Sequence, residues 1–390
     1  MRAPAVAQVV DSWRGLTETF IHDMVSSLTR VRPVVIARHL ENLDRFPVPE
    51  TGSLHRRFPR RGTPAWAAAA VRRRVSGGEP HAEAILAREE VRAVHAHYGP
   101  VGCSMLDLRR RTRLPLFVSF YGYDASVSSV LQEMAGPYRR LFDLGNAFLS
   151  EGPAMSRRLE SIGCPSSKIH VQRIGIRIER YPFRARQDPG EAPIVVLMCG
   201  RMVPKKGHAA ALRAFARARG EAPRLRLRLV GDGPSRDDIE GLARELGLEG
   251  SVDFAGALPR EALLAEMDRA HLYLQPSQIA PDGDTEGGAP TALIEAQACG
   301  LPIVATRHAD IPFVVRDRDS ALLADEGDVD GLAAHLATLA RSPAWWGSMG
   351  RAGRAHVEEH HDARVLATRL EILYATVSET GRAGGQAAGR

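Results

Sequence analysis

The sequence predicts an α/β protein built as two doubly wound, Rossmann-like domains facing a central cleft. Three observations predict it. Short β-branched runs alternate with longer Ala/Leu/Arg segments of helical period. The alternation pauses at a Pro-marked stretch, Tyr181 to Pro193, and then restarts. At 390 residues the chain is too long for one ordinary core and comfortable for two. Such alternation implies parallel sheets with right-handed crossovers, whose ligands collect at the carboxyl ends of the strands, here in the cleft between domains.

The elements follow in order. Strands are expected at Ala5–Val10, Pro33–Ala37, Val91–His95, Leu116–Phe120, Asn146–Leu149 and near Lys168–Gln172, with helices such as Thr17–Leu28 and Pro153–Ile162 between them. Ile194–Cys199 is a continuous apolar run, as a central parallel strand covered on both faces requires. After it come a helix (Gly207–Arg219), a strand (Leu225–Val230), a helix (Arg236–Leu246) and the strand Ser251–Phe254. A helix (Arg260–Arg269), the strand His271–Leu274, a helix (Thr291–Cys299) and the strand Ile303–Ala305 complete the pattern. The division is therefore residues 1–180 for the first domain, 181–192 for a linker and 193–362 for the second domain. A helix at 363–378 and a Gly- and Ala-rich flexible tail at 379–390 end the chain.

Composition excludes several classes. The chain is 44% hydrophobic and 25% charged, and no apolar run approaches the roughly 18 residues that span a bilayer. Met1 to Asp11 lacks a basic segment followed by a signal-like apolar stretch, so a cytoplasmic location is expected. Cys103, Cys164, Cys199 and Cys299 are scattered among small and apolar neighbours and read as buried free thiols. Net charge is +6 but uneven: Arg56, Arg57, Arg60, Arg61, Arg72, Arg73 and Arg74 fall between Thr51 and Val75 with Trp66 among them and no acid. That segment reads either as a patch for anionic lipid headgroups or a phosphorylated acceptor, or as a solvated loop and helix face. No recognition motif accompanies it, so nucleic acid is not expected as a partner.

Three segments carry chemistry. In Cys199-Gly200-Arg201-Met202-Val203-Pro204-Lys205-Lys206-Gly207 a buried strand gives way to a helix through a glycine turn flanked by Arg201 and Lys206. Two cations converging on a helix start suit a diphosphate whose charge grows as it leaves. Val230-Gly231-Asp232-Gly233-Pro234 is again strand, glycine turn and helix; lacking a third glycine, it reads as a tight turn beside the ligand rather than a dinucleotide fingerprint. In the stretch Asp282 to Ala296, Gly287, Gly288 and Pro290 precede a helix opening at Thr291, so the free N–H groups near Gly287–Thr291 are expected to face a phosphate or sugar. Glu286 in the loop and Glu295 in the helix supply carboxylates that accept paired hydrogen bonds from sugar and ribose hydroxyls. Asp282 and Asp284 form an Asp-x-Asp pair, but Asp and Gly are also what a solvated loop uses, and no metal site is expected.

These residues resemble the donor domain of the family 4 retaining glycosyltransferases of group 1, which have the GT-B fold. Gly200-Arg201 with Lys206-Gly207 is similar to the family's phosphate-binding pair, and Val230 to Pro234 to the turn that follows. Pro276-Ser277, Glu286, Glu295-Ala296 and Gly300-Leu301-Pro302 are similar to its Glu-x7-Glu region and continuation. Asp282 to Gly287 resembles a bacterial polysaccharide-assembly branch. In the first half, Thr17-Glu18-Thr19-Phe20-Ile21 resembles the loop after the first strand. His95 to Gly99 and Phe120 to Asp124 resemble the segments that face the cleft.

Two departures stand out: Tyr121 occupies the place of a family histidine that touches the donor sugar, and Glu286 and Glu295 enclose eight residues rather than seven. The resemblance implies a hexosyltransferase that retains configuration, needs no metal or other cofactor, and takes a nucleotide-sugar donor. The acceptor is a saccharide, lipid-linked saccharide or natural product. Arg201, Lys206 and Glu286 would be catalytic. Gly200, Gly231, Gly233, Gly287, Gly288, Thr291 and Glu295 would bind the nucleotide sugar, and Thr17, Glu18, His97, Tyr121 and Asp124 would face the acceptor or donor sugar. A nucleotide-sugar epimerase using His97 and Glu286 as its acid/base pair, and a non-catalytic sugar-nucleotide-binding protein, are the competing readings.

Overall fold

Thirteen strands form two all-parallel sheets in the computed structural model, which describes residues 3–13, 19–44, 47–60, 62–76 and 80–387. The chain divides into two units. The first takes Met1–Ala125, Ser129–Gly175 and Ala363–Arg390; the second takes Ser126–Ser128 and Ile176–Asp362.

In the first unit the strands are β1 (Ala5–Trp13), β2 (Arg32–Leu40), β3 (Ser53–Arg56), β4 (Val91–His97), β5 (Leu116–Ser119), β6 (Ala147–Ser150) and β7 (Ile169–Val171). They lie in the order β3-β2-β1-β4-β5-β6-β7. Register places Ala7 between Val34 and Val94, all three buried, so the centre of the sheet is covered on both faces. The strand β3 escapes sequence reasoning because Ser53-Leu54-His55-Arg56 is short and mostly polar, as an edge strand is.

The second unit contains β8 (Ile194–Cys199), β9 (Leu225–Val230), β10 (Val252–Phe254), β11 (Leu272–Gln275), β12 (Ile303–Thr306) and β13 (Ala321–Ala324), in the order β10-β9-β8-β11-β12-β13. The run Leu225-Arg226-Leu227-Arg228-Leu229 shows how sequence chooses a face. The three leucines are fully buried, while Arg228 makes a two-pronged contact with Glu266 at 3.1 and 3.0 Å. The helix His208–Glu221 buries Ala211, Leu212, Ala214, Phe215 and Ala218 at helical spacing and packs on the helix Val329–Arg341.

Two boundaries differ from the sequence reading. The stretch at 181–192 is packed on the second unit rather than free. Tyr181 is buried, and the buried Arg186 guanidinium donates to the carbonyls of Asp268 and Cys299 at 2.6 and 2.8 Å. The last helix runs from Ala363 to Ala387, past Ser378 and through most of the tail expected to be flexible. Once a helix is nucleated by docking, extending it costs little per residue, and no proline stops it. Its docking is firm. Ala367, Leu370 and Tyr374 enter the core of the first unit, and Glu371 Oε1 accepts the N–H groups of Thr29, Arg30 and Val31 at 2.7, 2.6 and 3.1 Å.

The basic segment is also redistributed. Arg57 is buried, donating to Ser104 Oγ at 2.7 Å and lying over the Phe58 ring, whereas Arg56, Arg60 and the indole of Trp66 are exposed. Among the described residues no helix is long and apolar enough to cross a membrane. All four cysteines are free thiols, three of them buried.

Candidate functional site

Strand order locates the site in the second unit. The order reverses between β8 and β11, and a doubly wound sheet leaves a crevice for ligand outside the carboxyl ends at such a switch point. The loops leaving those two ends are Gly200–Gly207 and Pro276–Pro290, two of the three segments singled out by sequence.

They meet through Lys206. Its Nζ lies 2.7 Å from Glu286 Oε2, while Glu286 Oε1 accepts from Ser277 Oγ, also at 2.7 Å. Ser277 accepts in turn from Gln275 Nε2 at 2.8 Å, which fixes its hydroxyl toward the carboxylate. Burial opposes ionisation of Glu286, but the charge and hydrogen bond of Lys206, with Ser277 and Lys205, outweigh it and hold the carboxyl below its usual range. Lys205 pairs with Asp284 at 3.0 Å and donates to the Thr285 carbonyl at 3.0 Å, tying the second loop to the first.

The glycines make this approach possible. A Cβ at Gly207 would stand 1.8 Å from the Pro276 carbonyl oxygen, and one at Gly231 1.9 Å from that of Gly200. At Gly233 the obstacle is the Met202 carbonyl, and the Lys206 side chain lies over Gly200. Gly200, Gly231, Gly233, Lys206 and Glu286 thus belong to one constellation. Arg201 stands exposed beside it, its guanidinium making no hydrogen bond or ion pair to a described residue.

Other expected donor contacts are partly committed elsewhere. The Gly287 N–H is not free: it donates to Thr285 Oγ1 at 2.8 Å, the turn a Thr makes two residues ahead of its partner. The Gly288 carbonyl accepts from the Asp310 N–H at 3.2 Å, and Thr291 opens the helix Thr291–Ala298. Glu295 is buried in that helix, and its Oε1 accepts from Tyr181 O–H at 2.5 Å; Arg260 lies over the Tyr181 ring. Asp282 Oδ1 accepts from the Asp284 N–H at 3.1 Å, and no group of three His, Cys, Asp or Glu that could hold a metal ion occurs among the described residues.

In the first unit Thr17 and Glu18 lie outside the described residues. His97 ends β4 and is fully buried, as is His95. With Gln8 oriented to donate its Nε2 to Tyr374 O–H, its Oε1 faces His97 Nε2 at 3.1 Å, so that nitrogen carries the proton. His97 Nδ1 then accepts from Tyr121 O–H at 2.8 Å, and the two rings lie nearly parallel. His97 is therefore a support for Tyr121 rather than an exposed sugar ligand, and burial holds its pKa down at about 3. An imidazole so firmly neutral is a poor partner for the acid/base chemistry of an epimerase. Asp124 is buried too, accepting the N–H groups of Gly99 and Tyr121 at 2.9 and 3.0 Å. Burial raises its pKa to about 6 against these backbone donors. It positions two loops and leaves Tyr121, half-buried against Phe20, as the most exposed of the three expected residues that are described.

Sequence reasoning gave no role to Lys205, Ser277, Tyr181, His208 and His308. His208 follows Gly207 and is buried; burial and the neighbouring Lys206 charge hold its pKa at about 4. Only Lys205 lay inside a recognised segment with a charge to signal it.

Comparison with known proteins agrees with this arrangement. Residues 17–180 match the family model described as Glycosyltransferase Family 4, and residues 180–356 the model described as Glycosyl transferases group 1. Amylovoran biosynthesis glycosyltransferase AmsK of Erwinia amylovora is 33% identical over 283 residues, 71% of this chain and 69% of that protein. Putative colanic acid biosynthesis glycosyltransferase WcaL of Salmonella typhimurium is 35% identical over 248 residues, 63% of this chain, and the match spans 61% of that relative's length. Among solved structures, Anabaena Alr3699/HepE in complex with UDP superposes with a TM-score of 0.74 at 17% identity, over 96% of this chain and 100% of that one. The two Rossmann-like sheets are those of the GT-B fold. The chain belongs to the family 4 glycosyltransferases of group 1.

Proposed function

We propose that the chain moves a hexose-type sugar from a nucleoside diphosphate to an acceptor hydroxyl, with retention of configuration and without a metal ion or other cofactor. The observation that carries this reading is the Lys206–Glu286–Ser277 constellation at the switch point, seated on glycine turns beside the exposed Arg201. Lys206 and Arg201 counter the charge that develops on the departing diphosphate, the role a metal ion would otherwise fill. Glu286, kept ionised by Lys206, accepts hydrogen bonds from donor-sugar hydroxyls, with the Gly288 amide beside it; Glu295 holds the ribose. The acceptor oxygen bonds to the anomeric carbon on the face from which the phosphate oxygen leaves, and the acceptor proton passes to that phosphate oxygen.

A panel of UDP-, GDP- and dTDP-sugars, screened for binding and slow hydrolysis with and without EDTA, tests the reading without an acceptor. One nucleotide should be bound and its sugar released at an EDTA-insensitive rate, with the α or β configuration kept in the NMR spectrum of the product. Inversion, loss of activity in EDTA, or no turnover of any donor would count against it.

The acceptor is a saccharide, and the relatives named for polysaccharide biosynthesis favour a growing chain, lipid-linked or free, over a small natural product. The exposed Arg56, Arg60 and Trp66 suit contact with an anionic lipid surface that presents such an acceptor. Sedimentation with phosphatidylglycerol vesicles, but not with phosphatidylcholine ones, is the expected result, weakened by salt.

A further inference from the structure

The loop that carries Glu286 is held from behind by the loop that follows β12. Thr306 Oγ1 donates to the Ser277 carbonyl at 2.5 Å, the Asp310 N–H to the Gly288 carbonyl at 3.2 Å, and the Glu286 N–H to His308 Nε2 at 3.2 Å. The last of these depends on the state of a side chain. His308 is 1% exposed, and its Nδ1 lies 2.7 Å from Glu326 Oε1. Glu326 Oε2 accepts from the Ile279 N–H at 3.1 Å, so the carboxylate is itself fixed. An imidazole accepts a hydrogen bond at Nε2 only while the proton sits on Nδ1, and a carboxylate at Nδ1 keeps it there.

We propose that His308, with its tautomer set by Glu326, is a positioning residue for the donor sugar: it holds the backbone at Glu286 so that the carboxylate and the nearby Gly288 amide keep their geometry during transfer. The inference rests on the glycosyltransferase reading for its catalytic consequence, but not for the contact itself. His308 touches no reacting group. It acts through the Glu286 N–H, while Lys206 and Ser277 constrain the carboxylate. A displacement of about 1 Å at such a site costs on the order of 10²-fold in rate.

Three single variants separate this role from a merely structural one. His308→Gln places an amide oxygen where Nε2 was and keeps an acceptor for the Glu286 N–H. His308→Asn is as polar but reaches only to the place of Nδ1. Glu326→Gln, at a half-buried surface position, can donate its amide to Nδ1 and so drive the proton to Nε2, against the Glu286 N–H. Hydrogen–deuterium exchange over residues 282–288 is measured in the full chain for each. Affinity for UDP and GDP is measured by calorimetry, and kcat with the nucleotide sugar that the wild type hydrolyses.

The expected result is faster exchange at Glu286 in His308→Asn and Glu326→Gln, with kcat lower by about 10- to 100-fold. Nucleoside diphosphate affinity should stay within about 2-fold, and His308→Gln should match the wild type in all three. Unchanged exchange in His308→Asn and Glu326→Gln overturns the proposal. So does faster exchange with unchanged kcat, or a His308→Gln variant as impaired as His308→Asn. A wild type that turns over no nucleotide sugar defeats the proposed function instead, and the exchange pattern alone then decides whether His308 holds the loop.

Discussion

Replacing Lys206 by alanine is expected to lower sugar transfer by about 10²- to 10³-fold, the loss seen when one preorganised charge is taken from a transition state. Two effects add. The departing diphosphate loses a cation placed at the switch point, and Glu286 loses the partner that keeps it ionised. The second effect has a measurable sign. In the wild type the Glu286 pKa is depressed, so its contribution to stability is present above the unfolded carboxylate value and is lost as pH falls through the folded one. Without Lys206, burial dominates and raises that pKa; the ionised carboxylate then costs stability as pH rises. Unfolding free energies of Lys206→Ala from urea denaturation should therefore fall below wild type by about 1–3 kcal/mol at neutral pH and converge toward it in acid. Adding Glu286→Gln should restore the stability and leave the activity low. Arg201→Ala is the contrasting case. Its guanidinium is exposed and makes no hydrogen bond or ion pair to a described residue, so transfer should drop by about 10²-fold with stability unchanged. Near-normal kcat in both single variants would sink the assignment of these cations to the leaving group.

How much of this was legible in the sequence follows from how local each signal is. Ile194–Cys199 could be read as a central strand because a two-sided burial demands an unbroken apolar run, and the structure begins and ends it at those residues. The glycine turns at Gly200 and Gly231 were legible for the same reason: each follows directly on a buried strand. Lys206 and Glu286 could be named, yet their contact could not, because 80 residues separate them and strand order alone joins β8 to β11. Satisfaction of backbone groups was less legible still. Gly287 looked like a free donor, but the Thr285 hydroxyl two residues earlier takes its N–H. His97 looked like a sugar ligand in a cleft-facing segment, but Gln8, far away in sequence, and Tyr121 occupy both ring nitrogens. His308 sits in a loop with no motif of its own. Its role follows from two partners, Glu286 and Glu326, that no periodicity brings together. A single sequence identifies which loops leave the carboxyl ends of buried strands; which polar groups in those loops are already spoken for is settled by pairing across strands.

Gly231→Ala should cost more stability than a methyl added at an open glycine of the same unit. Gly231 has φ +138°, a conformation that strains any residue with a Cβ. The added carbon would lie 1.9 Å from the Gly200 carbonyl oxygen and 2.8 Å from its carbon, and both are backbone, so no rotamer relieves the clash. Nor can the two strand ends separate freely, since the Gly200 N–H donates to the Val230 carbonyl and the Gly231 N–H to that of Gly256, at 2.9 and 2.8 Å. Strain and overpacking together put the cost above about 3 kcal/mol. Whatever movement accommodates the methyl must shift Gly200, over which the Lys206 chain lies, so nucleotide affinity should fall along with stability. Gly220→Ala provides the control. Gly220 lies in the helix His208–Glu221, has no left-handed φ and nothing within 4 Å of a built Cβ, so alanine there should raise stability by up to about 1 kcal/mol. Urea unfolding and calorimetry with UDP and GDP read both variants. Opposite signs in stability, with nucleotide binding damaged only at position 231, are the expected outcome. Equal behaviour of the two alanines would mean that the turn after β9 yields more easily than its carbonyl contact implies, and that it does not set the position of the loop Gly200–Gly207.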